Sequence, residues 1–292
     1  MEMQRTAPAM NWSRTVEWPA ARVVSPSSAE ELAAAVGTAE GGPVRVVGRG
    51  HSFNEIVQTE GLLISLAKMN SVIGLDEADG GATITVAGGM TYSELFAALK
   101  ETRWALPSTA SMPHFTIAGA ISTGTHGSSG VDAATGSVHD AGGNLGSSVC
   151  GLEFVLADGT RRRYGGDTGE GRAALDGAIV GLGCLGPIAS VSLRLVPRYD
   201  VSQVCYSAVP VPRLIDELEA LVASTDSFSA IVDFHLHTVR WLFLRKFVPH
   251  PAPEEQPTHP ESLCGGTLSR TAWGDHLGRQ HISSSPSALM LV

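Results

Sequence analysis

Apolar residues in the first third of the chain form short runs with the length and composition of β-strands. The runs "ARVVSP", "PVRVV" and "GLLISL" each predict one strand. The segment "SVIGLDEADGGATITVAGG" predicts two strands joined by a turn at Asp79 and Gly80, because this dipeptide favours a tight hairpin connection. The pattern therefore predicts five strands before residue 90.

Two segments between these strands have the apolar spacing and the start signals of helices. The stretch "SSAEELAAAVG" carries a capping box from Ser28 to Glu31 and ends at Gly37. The stretch "TYSELFAALKET" predicts a second helix, capped by Thr91 with Glu94 at the third helical position. Strands and helices alternate without the strict order of a parallel sheet, so the pattern favours a mixed α+β layout.

The second half of the chain has a different pattern. The segment "CGLEFVLADGTRRRY" predicts a strand–turn–strand hairpin, and "GLGCLGPIASVSLRLVP" predicts a glycine loop that leads into a strand closed by Pro197. Further on, "PRLIDELEALVAS" predicts one amphipathic helix, and "FSAIVDFHLHTVRWLFLRKFV" predicts one or two strands. From "PHPAPEEQPTHPES" onward the chain is rich in proline and serine.

Residues 107–147 are small, hydroxylated and rich in glycine, which is unusual for a connection inside a folded domain. A linker is one interpretation, but apolar residues such as Ile117 and Ile121 lie inside the segment, and both flanks have folded patterns. Backbone N–H groups and hydroxyls suit a surface that binds pyrophosphate oxygens. We therefore expect this segment to contact a ligand.

The segment "GRGHSFNE" follows the predicted strand "PVRVV" and begins as a nucleotide-binding turn does. The dinucleotide fingerprint requires a third glycine three residues after the second, and Phe53 stands there. The residues that follow do not open with a helix. An ordinary Rossmann site is therefore not expected, and the role of His51 in this turn needs another explanation.

Composition narrows the possible functions. The chain has 292 residues, 43% hydrophobic, which is enough for two domains with cores. Its net charge of −9 and the lack of a basic stripe argue against a nucleic-acid partner; the short "RRRY" run is expected to be a solvated strand edge. No stretch approaches the roughly 18 apolar residues of a membrane helix, and no secretory signal is recognised at the N-terminus, so we expect no integral membrane segment.

The four cysteines, Cys150, Cys184, Cys205 and Cys264, show neither CxxC spacing nor a disulfide framework. They are interpreted as buried free thiols in a reducing compartment, and the expected location is the cytoplasm. A metal site is a less favoured alternative at "DFHLH", where Asp233, His235 and His237 would share one face of a strand. We expect no bound metal.

Five separated motifs resemble a known family, in the same order. They are "VVGRGHSFNEI", "ISLAKMNSVIGLD", "TVAGGMTYSELFAAL", "ALPSTASMPHFTIAGAISTGTHGSS" and "GLGCLGPIASVSLRLVP". The chain resembles the FAD-linked sugar-alcohol and aldonolactone oxidases of the vanillyl-alcohol-oxidase superfamily, which carry a PCMH-type FAD-binding domain. Two of the motifs look most like those of bacterial alditol (xylitol) oxidases, while gulonolactone and arabinonolactone oxidases share the histidine motif.

The resemblance implies an α+β fold with a PCMH-type FAD-binding domain of two α+β subdomains in residues 11–200. An incomplete α+β substrate domain would follow in residues 201–292. In this family the histidine of the "GRGHS" turn carries FAD covalently, through a ring nitrogen bound to the 8α-methyl group of the flavin. His51 occupies that place.

The resemblance also implies which residues line the cofactor. The expected FAD-binding residues are Val47, Gly48, Arg49, Gly50, His51, Ser52, Ser111, Thr116, Gly119, Ala120, Ile121, Ser122, Thr123, Gly124, Thr125, His126, Gly127, Gly186 and Ile188, with Gly183 and Leu185 close by.

The implied reaction is oxidation of the primary alcohol of a polyol such as xylitol or sorbitol by O2, giving an aldehyde and hydrogen peroxide. An aldonolactone oxidase and a catalytically inactive flavin-binding protein are the alternatives. The family's proton-handling residues lie in a C-terminal domain with a His-Trp-x-Lys motif, and that motif does not occur here. No catalytic residue is therefore assigned, and we expect weak activity and an unpaired apolar sheet edge.

Overall fold

A computed structural model describes residues 10–18, 22–78, 81–128, 143–165, 171–251 and 258–269. Contacts divide the chain into two compact units. The first draws on residues 1–106, 112–126 and 144–196, and the second on residues 107–111, 127–143 and 197–292.

The first unit contains nine strands, four α-helices and two short 3₁₀ helices among its described residues. The strands are β1 (Arg22–Val24), β2 (Val44–Val47), β3 (Leu62–Ser65), β4 (Val72–Ala78), β5 (Gly81–Ala87), β6 (Trp104–Ala105), β7 (Val149–Val155), β8 (Arg161–Gly165) and β9 (Ile188–Pro197). The α-helices are α1 (Ala29–Gly37), α2 (Tyr92–Leu99), α3 (Ile117–Ser122) and α4 (Gly171–Ile179), and the 3₁₀ helices are Glu55–Val57 and Leu145–Ser148.

Strands β1, β3 and β2 form a small parallel sheet in that order. The central strand β3 is buried at all four residues, since a parallel strand in the middle of a sheet is covered on both faces. Helix α1 packs against it through Leu32 and Val36, which share a core cluster with Leu62 and Ile64. Burial of these aliphatic side chains fixes α1 on the sheet.

A second, antiparallel sheet has the order β4-β5-β9-β7-β8, with β6 paired beside β9. Strand β5 alternates between buried and half-buried residues, as expected for a strand with one face on the core. Strand β8 lies at the edge, and Arg161, Arg162 and Arg163 are exposed there. The prediction of a solvated strand edge is confirmed.

The start signal of α2 is confirmed, and that of α1 is confirmed for its capping residue only. Thr91 and Glu94 form the capping box of α2, in which each side chain accepts a backbone N–H of the other residue. In α1, the Ser28 side chain accepts the N–H of Glu31, but the Glu31 carboxylate accepts the N–H of Ser27 instead of that of Ser28. The capping box predicted for α1 is therefore incomplete, because the Glu31 carboxylate bonds to the residue before Ser28.

Two helices of the first unit were not expected, and two predicted segments of the chain fall outside the described residues. Residues 117–122, inside the expected long loop, form helix α3, and helix α4 was not predicted. Both helices contain glycine, which lowers their helical propensity, so burial of residues such as Ile121 and Leu175 stabilises them. The turn at Asp79 and Gly80 and residues 129–142 of the glycine-rich segment lie outside the described residues.

The second unit is built on a five-stranded antiparallel sheet of order β11-β12-β10-β14-β13. Its elements are β10 (Tyr199–Pro210), α5 (Val211–Asp216), α6 (Leu218–Ser224), β11 (Ser227–Asp233), β12 (Thr238–Pro249), β13 (Ser262–Leu263) and β14 (Gly266–Leu268). Its core joins Tyr206 and Leu242 of the sheet with Leu214 and Leu221 of the helices. The overall architecture is α+β, with three sheets and few helices among the described residues.

One expectation for this part of the chain is wrong, and two of its strands were not predicted. The single helix predicted at 212–224 is divided at Glu217 into α5 and α6. Strands β13 and β14, which were not predicted, form within the proline- and serine-rich stretch. Part of that stretch, residues 252–257 and 270–292, lies outside the described residues.

In the "DFHLH" segment Asp233 ends β11, and the four residues after it form the turn before β12, in which His237 has a left-handed φ of 50°. The strand on which the alternative metal site depended is therefore absent there. The Asp233 carboxylate accepts the backbone N–H groups of His235 and Leu236 and closes the turn.

The cysteines are free thiols, but only Cys264 is buried, and Cys184 is exposed. The expectation that all four are buried is wrong. None of the helices in the described ranges is long and apolar enough to span a membrane.

Candidate functional site

The first unit contains a cavity of about 430 Å³ at the carboxyl ends of the parallel strands β2 and β3. Ligands bind at this edge in many α/β proteins, because the loops that follow parallel strands meet there. Residues 45–52 line one part of the cavity, and Leu66 and Ala67 follow β3 into another. Residues of α3 and the 181–188 loop complete its wall.

Most of the residues that the motifs imply for FAD line this cavity. These are Val47, Gly48, Arg49, Gly50, His51, Ser52, Thr116, Gly119, Ala120, Ser122, Thr123, Thr125, Gly186 and Ile188, together with Gly183 and Leu185. The cavity wall does not include Ser111, Ile121, Gly124, His126 or Gly127. Ile121 is buried in the core, while Ser111 and Gly127 belong to the second unit.

Several lining residues were not singled out from the sequence. Leu66, Gly88, Phe115, Phe154, Ala178 and Leu182 belong to this group. Gly88 had a sequence signal, the Gly-Gly pair after β5, because glycine in a strand end marks close backbone approach. A Cβ at Gly88 would collide with the carbonyl oxygen of Ile188, so two segments of the cavity wall meet at this glycine.

The turn after β2 can form only with glycine at two places. Gly50 has a φ of +76°, in the left-handed region that glycine adopts without strain. A Cβ at Gly48 would collide with the side-chain oxygen of Thr116. The turn therefore lies directly on the residue that precedes α3, and this contact places His51 at the cavity.

Three rings surround the imidazole of His51. His114 contacts it edge to edge, with 2.6 Å between the two Nε2 atoms. The Phe115 ring lies at 4.5 Å between centroids, and the Trp12 ring stacks at 5.2 Å with an interplanar angle of 22°. The imidazole is thus held on three sides, and His51 and Phe115 line the cavity.

Burial, and to a smaller extent the neighbouring His114, lower the pKa of His51 from its usual 6.5 to about 4. Burial and the positive charge of Arg49 also lower the pKa of His114. Both rings are therefore neutral at neutral pH. In a neutral imidazole one ring nitrogen keeps its lone pair, so His51 can act as a nucleophile.

An N-terminal turn covers the outer side of this histidine, and nothing in the motif comparison pointed to it. The backbone N–H of Trp12 donates to the Gly50 carbonyl at 2.7 Å. The side chain of the buried Asn11 donates to the Ser52 carbonyl at 3.2 Å and accepts backbone N–H groups of its own turn at 2.8 and 3.0 Å. Trp12 and Asn11 together thus tie the turn to both sides of His51.

The chemistry of the wall fits a flavin dinucleotide. The Arg49 Nε is buried and has no hydrogen-bond partner among the described residues, so a cationic donor is available to an anion. The hydroxyl-bearing residues Ser52, Ser122, Thr123 and Thr125 also line the cavity. Apolar walls are supplied by Val47, Val57, Leu66, Phe154 and Ile188. Charged and hydroxyl donors beside apolar walls suit a pyrophosphate joined to a flat aromatic ring system.

Comparison with known proteins decides the family. The model of the FAD binding domain family matches residues 20–165, which is half of the chain. The chain belongs to this family. The cofactor is FAD, and the membership inferred from the five motifs is confirmed.

Named relatives of this FAD-binding chain are oxidoreductases. An alditol oxidase from Streptomyces is 32% identical over 246 residues, 84% of this chain and 55% of that protein. The L-gulonolactone oxidase of Mus musculus is 28% identical over 220 residues, covering 75% and 47% of the two chains. The L-gulono-1,4-lactone dehydrogenase of Mycobacterium tuberculosis is 30% identical over 263 residues, covering 89% and 57%. The chain spans about half the length of these relatives.

Proposed function

We propose that this FAD-binding chain serves oxidation of the primary alcohol of a sugar alcohol, with O2 as the electron acceptor. The products would be an aldehyde and hydrogen peroxide. The observation that carries the proposal is the similarity to an alditol oxidase over 84% of the chain, which includes the cavity wall and the histidine turn.

In this proposal the chain's own residues hold the cofactor and shield it. Bound FAD supplies the redox chemistry, by accepting a hydride from the alcohol carbon. His51 attaches the flavin covalently, and Arg49 together with the cavity hydroxyls binds its phosphates. Trp12 and Phe115 pack around His51 and keep water from the point of attachment. The group that takes the proton from the alcohol is not assigned.

The proposed domains correspond to the two units, except that residues 107–111 and 127–143 of the proposed FAD-binding domain belong to the second unit. Residues 11–200 would form the FAD-binding domain, with its parallel and antiparallel sheets as the cores of two α+β subdomains. Residues 201–292 would be part of a substrate domain. The separate hydrophobic cores around Leu32 and around Leu242 support this division.

A second candidate is oxidation of an aldonolactone, such as a gulono- or arabinono-1,4-lactone. The similarity to the M. tuberculosis lactone dehydrogenase, which extends over 89% of this chain, favours it. That relative is named a dehydrogenase, and because a dehydrogenase need not use O2, this candidate also differs in its electron acceptor. A flavin-binding protein without turnover is the candidate from a different class.

One experiment separates these candidates. The purified yellow protein is mixed without oxygen with xylitol, sorbitol, L-gulono-1,4-lactone or D-arabinono-1,4-lactone, and bleaching of the flavin absorbance is followed. Oxygen is then admitted, and peroxide is measured. The His51→Ala variant, reconstituted with FAD, serves as the control for the attached cofactor.

Bleaching by a polyol followed by peroxide formation supports the proposal. Bleaching by lactones alone favours the second candidate. Bleaching without peroxide points to an acceptor other than O2, and a protein that keeps its flavin yet bleaches with none of the four compounds contradicts both oxidation proposals.

A further inference from the structure

We propose that His114 is a positioning residue for flavin attachment, which accepts the Nε2 proton of His51 and leaves the His51 Nδ1 free to bond to the flavin. This inference rests on the proposed covalent attachment at His51 and deepens it. Nothing in the motifs assigned a role to His114.

The contact between the two rings carries the inference. Their Nε2 atoms are 2.6 Å apart, which is a hydrogen-bond distance, so one of the two nitrogens carries the shared proton. The Nε2 of His51 is thereby occupied, and its remaining nitrogen is Nδ1. His51 lines the cavity, whereas His114 is not part of the cavity wall. His114 therefore contacts His51 from outside the cavity wall.

Two neutral arrangements of the pair exist, and only one permits attachment. If His114 donates, the proton of His51 lies on Nδ1, and that nitrogen has no free lone pair. If His51 donates, its Nδ1 lone pair is free. An imidazole that is alkylated on Nδ1 must also lose its Nε2 proton to become neutral again, and the Nε2 of His114 is placed to receive it.

The surrounding rings restrict how the His51 imidazole can turn. Trp12 stacks nearly parallel to it, and Phe115 is tilted by 58° against it. A ring held between two aromatic neighbours keeps the direction of its Nδ1. His114 then fixes the proton position, and the two aromatic rings fix the orientation.

The attachment reaction balances with one added reactant, dioxygen. One C–N bond forms between the His51 Nδ1 and the 8α carbon. One C–H bond of the flavin methyl group and the N–H bond at the His51 Nε2 break. The two protons and two electrons released reduce O2 to hydrogen peroxide, and the proton from His51 leaves through His114.

The test compares the parent with His114→Ala, His114→Phe and the control His235→Ala, whose histidine lies exposed in the β11–β12 turn. Flavin-free protein from riboflavin-starved cells is incubated with FAD, and attachment is followed as acid-stable flavin fluorescence. The attachment rate of both His114 variants should fall at least about ten-fold. Added imidazole should restore attachment in His114→Ala, where it can fill the vacated space, but not in His114→Phe.

A second readout does not depend on bound flavin. Nitrogen-15 NMR of the flavin-free parent should show the His51 proton on Nε2 and a free Nδ1. The His114→Phe variant should show a mixture of both tautomers. A parent with the proton on the His51 Nδ1, or folded His114 variants that attach flavin at the parental rate, would overturn the inference. If both variants fail to fold, the tautomer of the parent decides alone.

Failure of the underlying proposal looks different. If the parent itself releases all flavin in acid, covalent attachment is wrong, and the role of His114 in it is wrong too. If the parent attaches flavin and the His114 variants attach it equally fast, only the inference about His114 is wrong.

Discussion

Burial of His51 predicts how flavin attachment depends on pH. Only a neutral imidazole can attack, because protonation removes the lone pair. The folded protein lowers the pKa of His51 from 6.5 to about 4, so the neutral form persists to a lower pH than for a solvated histidine. At pH 5.5 roughly 97% of such a side chain is neutral, compared with about 9% of an unperturbed histidine.

The rate of attachment at pH 5.5 should therefore differ from the rate at pH 7.5 by less than about 10%, whereas with an unperturbed histidine the rate at pH 5.5 would be about ten-fold lower. The lowered pKa of His51 also makes the stability of the fold depend on pH. Since the folded pKa lies below the unfolded one, the unfolded chain binds more protons between pH 4 and 6.5, and the contribution of His51 to stability is lost as pH falls through this window.

Proton NMR of the flavin-free protein measures the pKa directly, as the titration midpoint of the His51 ring signal. Trp12→Ala removes one of the three covering rings, so it should move the midpoint back towards 6.5. A parental midpoint at or above 6.5, or an attachment rate that collapses between pH 7.5 and 5.5, would refute the reasoning from burial.

Two further predictions concern the framework of the site and are measured by urea unfolding. Gly88→Ala should lower the free energy of unfolding by at least about 2–3 kcal/mol, because the added Cβ meets the Ile188 carbonyl. The control Gly177→Ala, in the exposed interior of α4, should raise the free energy of unfolding by about 0.5–1 kcal/mol. Equal unfolding midpoints for the two variants would contradict the contact at Gly88. Asn11→Ala should lower the free energy of unfolding by about 2–3 kcal/mol, because two backbone N–H groups lose their acceptor. Asn11→Asp keeps that acceptor and should lower the free energy of unfolding by less. A larger loss in Asn11→Asp than in Asn11→Ala would contradict this role of Asn11.

Local signals sufficed for much of the fold. The capping residues Ser28 and Thr91 could be predicted from the sequence, because a capping residue and its partner lie three positions apart. The parallel strand β3 was readable as a continuous apolar run. The turn at Asp233 had a local signal too, since aspartate often closes a turn by accepting backbone N–H groups, but the alternating "DFHLH" pattern obscured it.

Elements that depend on distant contacts could not be predicted. The break at Glu217 divides a sequence that has continuous helical spacing. In the fold, the thiol of Cys264 donates to the Glu217 carboxylate at 3.4 Å, so residues about fifty positions apart meet at this break. Helices α3 and α4 likewise gain their stability from burial that a window of neighbouring residues does not reveal.

The same limit applied to the site. His51 was found because its turn is a local motif. Its contacts are with Trp12 and His114, which lie 39 and 63 positions away in the chain. Patterns of neighbouring residues do not predict contacts over such distances. The assignment of individual FAD-binding residues remains a prediction, although most of them line one cavity.

Covalent attachment of FAD at His51 is the central claim, and one measurement tests it most directly. The absorbance spectrum of the purified protein is recorded, the protein is precipitated with acid, and the flavin is measured in pellet and supernatant for the parent and for His51→Ala. If His51 carries the flavin, the parental flavin stays in the pellet, while His51→Ala releases its flavin into the supernatant. A parent that releases all of its flavin, or a His51→Ala variant that retains acid-stable flavin, would contradict it.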